Sequence, residues 1–226
     1  MSARKKRNER GSSYKLSKGA DNHIDSSVSF RGTVRVGDNC FISQGVIIGH
    51  TSFYDVECRQ SIKSKTVLGN NVTIHPNAII SGGVTIGDQV RIGPSVTIWP
   101  NSSIGKNTEL MYNAQVHENV TVGSDCVIAG FLCDYAKVGN SAAVFGSLVH
   151  PFRKGWIEDP NLAHDSPTLE DDVVVGCGAT VIGPVVVKSR TYVAAGAIVT
   201  KDTPGNCKII GLDKIEPLGT LKCLRG

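Results

Sequence analysis

Residues 66–131 read TVLGNN, VTIHPN, AIISGG, VTIGDQ, VRIGPS, VTIWPN, SSIGKN, TELMYN, AQVHEN, VTVGSD and CVIAGF when the sequence is cut every six residues. The third residue of every hexad is aliphatic, and we call it the anchor. Anchors with the same spacing occur on both sides of this stretch. They are Phe30, Val36, Ile42 and Ile48 upstream, and Leu169, Val175, Val181, Val187, Val193 and Val199 downstream. An internal repeat of constant period indicates the fold class of the whole chain.

The six-residue period has a direct physical interpretation. Neither the 3.6-residue helical period nor two-residue strand alternation places one apolar residue every six positions. A short strand with an inward aliphatic side chain, followed by a turn rich in Gly, Asn or Asp, does so. One such rung cannot bury its apolar side alone, whereas stacked rungs share a continuous core. Glycines directly after the anchor, such as Gly69 and Gly105, suit a tight corner. The pattern therefore predicts an all-β solenoid.

Composition supports one large domain. The chain has 226 residues, of which 40% are hydrophobic and only 6% aromatic, so small aliphatic side chains can build a sizeable core. We predict a disordered basic tail over 1–22, a β-helix domain over 23–211, and a tail or short cap over 212–226.

The charge of +4 arises mainly in the first eighteen residues, MSARKKRNERGSSYKLSK, which lack apolar periodicity. A solvated tail is the expected role of this segment, and nucleic-acid binding is not expected. The sequence shows neither a secretory signal nor an apolar run long enough to span a membrane. Seven cysteines occur without CxxC spacing, which favours a reducing, cytoplasmic location and argues against a thiolate zinc site.

Three stretches break the six-residue period, and we expect such breaks to leave the stack as loops that carry function. They are 51–65, the slip between Ile128 and Val138, and the longest, the excursion over 150–167. His150 begins this excursion and occupies the position where the next anchor is due. We therefore predict that His150 is held rigidly beside a cleft and acts as a general base. His75 and His117 directly follow anchors, so they are expected near exposed corners.

The hexads, the His150–Pro151 pair and the segment EDDVVVGCGATVIGPVVVKSRTYVAAGAIVTKD at 170–202 resemble the hexapeptide-repeat acyltransferases. That family includes sugar and antibiotic O-acetyltransferases, sugar-nucleotide N-acetyltransferases and tetrahydrodipicolinate acyltransferases. The resemblance implies a left-handed parallel β-helix with three hexads per coil, a triangular cross-section and a homotrimer. It also implies that acyl-CoA lies in a groove between neighbouring subunits, closed by the excursion loop.

The resemblance also assigns residues to this chemistry. It implies that His150 is the general base and that the backbone of Ala194, Ala195 and Gly196 contacts the pantetheine arm. It places Thr200 and Lys201 near the nucleotide phosphates.

The predicted reaction is acetyl transfer from acetyl-CoA to a hydroxyl or amine of a sugar-like acceptor, with a nucleotide-linked amino sugar as the leading candidate. Acyl transfer needs a base for the acceptor proton and a donor for the developing oxyanion, and histidine titrates near working pH. The excursion offers Arg153, Trp156 and His164 as acceptor contacts, and Asn119 is a further candidate. No metal is expected.

Two alternatives remain open. A γ-class carbonic anhydrase-like zinc enzyme shares the prism but needs neighbouring histidines, and His75 and His117 are separated by 42 residues, which is not a multiple of an 18-residue coil. A non-catalytic solenoid scaffold is the second alternative.

Overall fold

The structure is a computed structural model that describes residues 4–7, 13–50, 65–151 and 165–217. These residues form thirty β-strands and no helix. The described part of the chain therefore contains no helical segment that could span a membrane. Most strands are two residues long, as expected of a chain that turns a corner every six residues.

The strands are numbered in chain order. They are β1 (Arg4–Arg7), β2 (Ser13–Lys18), β3 (His23–Ile24), β4 (Ser29–Phe30), β5 (Thr33–Val36), β6 (Phe41–Ile42), β7 (Ile47–His50), β8 (Lys65–Leu68), β9 (Thr73–Ile74), β10 (Ile79–Ser81), β11 (Thr85–Ile86), β12 (Arg91–Ile92), β13 (Thr97–Ile98), β14 (Ser103–Ile104), β15 (Glu109–Leu110), β16 (Gln115–Val116), β17 (Thr121–Val122), β18 (Val127–Ile128), β19 (Phe131–Leu132), β20 (Lys137–Val138), β21 (Ala143–Val144), β22 (Ser147–Val149), β23 (Thr168–Leu169), β24 (Val174–Val175), β25 (Thr180–Ile182), β26 (Val186–Val187), β27 (Tyr192–Val193), β28 (Ile198–Val199), β29 (Cys207–Ile210) and β30 (Lys214–Pro217).

The strands assemble into three sheets. A ten-stranded sheet runs β1-β2-β5-β8-β11-β14-β17-β20-β23-β26, a nine-stranded sheet runs β28-β25-β22-β19-β16-β13-β10-β7-β4, and an eleven-stranded sheet runs β3-β6-β9-β12-β15-β18-β21-β24-β27-β29-β30. Every third strand pairs in parallel, as in β11 with β14 and β12 with β15. Three consecutive strands, one from each sheet, therefore make one coil of a triangular prism. This architecture matches the all-β, left-handed parallel β-helix that the resemblance implied.

Each hexad contributes two inward side chains. The anchors are buried, with Ile74, Ile92 and Leu110 at 0% exposure. The residue two positions before the anchor is buried as well, as Val72 and Val90 show. The sequence pattern identified the anchor position, and the structure adds this second, smaller layer, which completes a single core along the prism axis.

The corners explain the Asn and Asp residues between strands. Most corners of the six-residue type contain one residue with positive φ, and Asn or Asp often occupies that place, as at Asn101, Asn107 and Asn113. These side chains tolerate the left-handed conformation better than other non-glycine residues.

The slip between Ile128 and Val138 does not leave the stack as a loop, so this part of the sequence prediction is wrong. Residues 131–132 form β19, which pairs with β16 on one side and β22 on the other. The corner after Ile128 is two residues shorter than usual, and the paired strands are therefore separated by 16 residues instead of 18.

A second short corner follows Val144, so the next anchor is Leu148 and not His150. Leu148 is fully buried at 0% exposure, and the prediction that His150 occupies the anchor position is wrong. His150 instead lies two residues after the anchor, beyond the end of β22.

The coils also begin earlier than the sequence indicated. Strand β2 lies within the segment 1–22 assigned to a tail, yet it pairs in parallel with β5 and places Leu16 against the core. At the other end, β29 and β30 form an antiparallel hairpin, so the described part of 212–226 folds back on the last coil.

Candidate functional site

Three ionisable side chains meet where strands of the nine-stranded sheet end. His117 follows β16, Asp134 follows β19 and His150 follows β22. Because these strands are parallel and adjacent, their carboxyl ends lie along one edge of the prism, which we call the exit edge. The two short corners bring residues that are 16 and 17 apart in sequence to this edge.

Asp134 lies between the two imidazoles. Its Oδ1 is 3.7 Å from His117 Nδ1, and its Oδ2 is 4.0 Å from His150 Nε2. The backbone N–H of Glu118 donates a 2.9 Å hydrogen bond to Oδ1. The hydroxyl of Ser166 donates to the Asp134 backbone carbonyl at 2.8 Å, which ties this corner to the chain that follows the excursion. Hydrogen bonds therefore hold both the side chain and the backbone of Asp134 in place.

Asp134 is ionised at neutral pH. Burial alone would raise the pKa of its carboxyl group, but the nearby His117 imidazole and the Glu118 N–H outweigh this effect. The interaction with His150 acts in the same direction, and the pKa of Asp134 lies below its usual range. A permanent negative charge therefore lies between the two histidines.

His150 is the buried member of the group. Its side chain is only 4% exposed, compared with 30% for His117 and 26% for Asp134. Burial lowers the pKa of His150, although the charge of Asp134 and a backbone hydrogen bond with Asp165 partly offset the effect. His150 is therefore predominantly neutral at pH 7.

Aromatic rings flank the exposed imidazole. The Trp99 ring centroid lies 5.9 Å from that of His117, and the Phe131 centroid lies 4.6 Å from it on a tilted plane. Both aromatic residues are half-buried, so the imidazole sits in a partly apolar recess of the exit edge.

Thr200 and Lys201 lie on the same exit edge because they follow β28, two strands beyond β22. Adjacent strands are about 4.8 Å apart, which separates this pair from His150 by about 10 Å along the prism. Thr200 already has a partner, since its N–H and hydroxyl both donate to the Asp213 carboxylate, at 2.6 and 2.5 Å. Burial raises the pKa of Asp213, but these hydrogen bonds and the charge of Lys201 lower it overall.

Ala194, Ala195 and Gly196 occupy a different corner of the prism, between β27 and β28. Ala195 and Gly196 are exposed, and Gly196 has φ of +71° with open space where a Cβ would lie. The sequence-predicted donor contacts are therefore divided between the two ends of β28.

Asn119 has a structural explanation. It adopts φ of +57°, as several other corner asparagines do, and its N–H donates to the carbonyl of Pro100 at 3.0 Å. It lies two residues beyond His117, so the predicted acceptor contact remains a prediction. The other three acceptor candidates, Arg153, Trp156 and His164, lie outside the described residues.

Asp134 was not identified from the sequence, and His117 was considered only as an exposed corner histidine. With an 18-residue coil, His117 and His150 would not share an edge at neighbouring levels. The signal that could have identified the group is the pair of four-residue anchor spacings, 128 to 132 and 144 to 148. When both spacings are treated as shortened corners, positions 118, 134 and 150 fall at the same place in three successive coils.

The described residues contain no cluster of three or more His, Cys, Asp or Glu residues arranged to hold a metal ion. His75 and His117 follow strands of different sheets, as the spacing argument predicted.

Comparison with known sequences supports the repeat assignment. A family model described as bacterial transferase hexapeptide (six repeats) matches residues 65–98. The bifunctional protein GlmU from Listeria welshimeri is 29% identical over 201 residues, which cover 88% of this chain and 38% of that protein. Serine acetyltransferase from Synechococcus elongatus is 39% identical over 46 residues, covering 20% of this chain and 19% of that enzyme. The chain thus spans well under half the length of these relatives.

A solved structure supports the fold. The UDP-N-acetylglucosamine acyltransferase from Campylobacter jejuni matches with a TM-score of 0.54 at 19% sequence identity, covering 85% of this chain and 73% of that one. The resemblance to hexapeptide-repeat proteins is confirmed. The solenoid continues on both sides of residues 65–98, the stretch that the family model matches.

Proposed function

We propose that this protein is an acyltransferase that moves an acetyl group from acetyl-CoA to a hydroxyl or amine of a sugar-like acceptor. The observation that carries the proposal is the exit edge. It places two imidazoles around one carboxylate and, about 10 Å farther along, the exposed cation of Lys201.

The chemistry requires few groups. An imidazole takes the proton from the acceptor while the acceptor oxygen or nitrogen attacks the thioester carbonyl, and hydrogen-bond donors stabilise the oxyanion. His150 is the imidazole that the sequence assigned to this step, and His117 is the second one present. A cation such as Lys201 can contact a phosphate as a point charge.

A relative by sequence supports the acyl donor, and a solved structure with the same fold supports the class of acceptor. One relative is named a serine acetyltransferase, and the solved structure with the same fold is named a UDP-N-acetylglucosamine acyltransferase. We therefore propose acetyl-CoA as donor and a sugar, free or nucleotide-linked, as acceptor. The half-buried aromatic rings of Trp99 and Phe131 beside His117 suit the apolar face of a sugar ring.

A homotrimer in the cytoplasm completes the proposal. The trimer follows from the resemblance, in which the donor groove lies between subunits. The five cysteines in the described ranges are all free thiols, as expected in a reducing compartment.

Calorimetric titration of acetyl-CoA into EDTA-treated protein tests the donor. We expect saturable binding of about one acetyl-CoA per chain. Lys201→Ala should weaken it by about fivefold, the factor that corresponds to ~1 kcal/mol for an exposed charge pair. Lys106→Ala removes an exposed lysine from another corner and should leave the affinity unchanged.

The same titration decides between the alternatives. Absence of saturable binding would reject the acyltransferase and favour the scaffold, and metal analysis of untreated protein would then test the zinc enzyme. Equal affinities for the Lys201 and Lys106 variants would remove Lys201 from the donor site.

A further inference from the structure

The two imidazoles of the exit edge differ in their access to an acceptor. His117 is 30% exposed and lies between the partly exposed rings of Trp99 and Phe131, whereas the His150 side chain is 4% exposed. A group that takes a proton from a bound acceptor must come within hydrogen-bond reach of it. The more exposed His117 can be approached by an acceptor from the surface, whereas the side chain of His150 is almost fully buried.

The orientation of His117 also suits proton transfer. Its Nδ1 is the ring nitrogen nearest Asp134, at 3.7 Å, so Nε2 points away from the carboxylate on the opposite side of the ring. This arrangement leaves Nε2 available to an acceptor. A carboxylate on the Nδ1 side orients an imidazole and stabilises the imidazolium that forms when Nε2 takes a proton.

Asp134 is built into its position. Its Oδ1 accepts from the Glu118 N–H at 2.9 Å, and its backbone carbonyl accepts from the Ser166 hydroxyl at 2.8 Å. The ionisable groups that interact with its carboxylate are His117 and His150, and Asp165 in turn interacts with His150. The low pKa of Asp134 keeps its charge in place throughout the neutral range.

We propose that Asp134 is the positioning residue of the transfer reaction and that it directs His117, and not His150, to take the proton of the acceptor. The inference rests on the proposed acyltransferase function and reassigns the base from the residue that the sequence predicted. His150 packs against the other carboxylate oxygen and remains neutral.

In the proposed reaction His117 carries one proton from the acceptor to the leaving thiolate. His117 Nε2 takes the proton of the acceptor hydroxyl or amine while the acceptor atom forms a bond to the thioester carbonyl carbon. The resulting tetrahedral intermediate collapses, the carbon–sulfur bond breaks, and the imidazolium returns the proton to the departing thiolate of CoA.

The first test follows imidazole chemistry and needs no acceptor. Diethyl pyrocarbonate is applied to the intact protein at pH 7.5, and each histidine is followed by peptide mass spectrometry. We expect His117 to be modified and His150 to be spared, with the exposed His75 as internal standard. Preferential modification of His150 would overturn the inference.

The second test measures acceptor-dependent loss of acetyl-CoA thioester with D-glucosamine, N-acetyl-D-glucosamine and UDP-N-acetyl-D-glucosamine as probes. His117→Gln and Asp134→Asn should lower kcat by about 10²–10⁴-fold with acetyl-CoA affinity unchanged. His150→Gln should lower kcat much less than His117→Gln does. Asp134→Glu, which restores the charge, should recover part of the rate.

Different results would contradict the proposed function and the assignment of the base. If wild-type protein binds no acetyl-CoA, the proposed function is wrong whatever the histidines do. If acetyl-CoA binds and turnover is lost in His150→Gln but kept in His117→Gln, the acyltransferase stands and His150 is the base. Full turnover in Asp134→Asn would reject the positioning role.

Discussion

Burial determines the chemistry of individual side chains along this prism, and the cysteines show it most simply. Cys133 directly follows the anchor Leu132 and is 3% exposed, and burial together with the charge of Asp134 raises its pKa to about 12. Burial also raises the pKa of Cys40 and Cys126. Cys177 lies at an exposed corner. The same residue type is therefore part of the core at one position and accessible at another.

We expect Cys177 to be alkylated rapidly by iodoacetamide at pH 8 and Cys133 to remain unmodified in the folded protein. With a pKa of about 12, only about one Cys133 thiol in 10⁴ is ionised at that pH, and the thiolate is the reactive form. Peptide mass spectrometry after a short exposure measures both sites, and Cys177→Ser provides the control. Labelling of Cys133 as fast as Cys177 without denaturant would contradict the burial argument.

At the level of strands and corners, the short corners shape the functional edge. The corner at Ala129 and Gly130 joins β18 to β19 with two residues fewer than a regular corner. A Cβ on Gly130 would lie 1.7 Å from the backbone carbonyl oxygen of Gly146, which belongs to the short corner of the next coil. Two glycines therefore let successive short corners stack directly, and this stacking brings Asp134 beside its histidines.

Gly130→Ala should destabilise the fold by about 1–3 kcal/mol or more, because the added methyl group meets backbone that cannot rotate away. Urea denaturation followed by circular dichroism measures the free energy of unfolding. Ala129→Ser, at the partly exposed neighbouring position, is the matched control and should stay within about 0.5 kcal/mol of wild type. If the two variants unfold at the same urea concentration, the close approach at Gly130 does not limit the corner.

The whole molecule is a stack in which each coil contacts mainly its neighbours. Strand β13 pairs with β10 on one side and β16 on the other, while β3, at the end of its sheet, has β6 as its one partner among the described strands. The core is continuous, yet its terminal coils have a neighbour on one side only. Stability should therefore be distributed unevenly along the prism axis.

Ile98→Ala should cost about 2–5 kcal/mol because the side chain is 1% exposed in a coil packed on both sides. Ile24→Ala, in β3, should cost less because that side chain is only partly buried. Urea denaturation gives both free energies, and hydrogen exchange should be fastest in the terminal coils. An equal loss at the two positions would indicate that the stack unfolds without regard to position.

The sequence by itself determined the repeat, the solenoid, the inward anchors and the corners, because each depends on local spacing within six residues. Leu68, Ile92 and Val193 are buried as the pattern predicts. Which residues of the excursion contact the acceptor depends on long-range packing, which no local pattern encodes.

Only the tertiary structure decided which side chains share the functional edge. Two corners, each shorter by two residues, moved the anchor from His150 to Leu148 and placed Asp134 between His117 and His150. A change of two residues in one corner shifts every later position relative to the coils before it. Each six-residue repeat in the sequence therefore specified the same local fold. The stacking of coils of unequal length determined which side chains form the site.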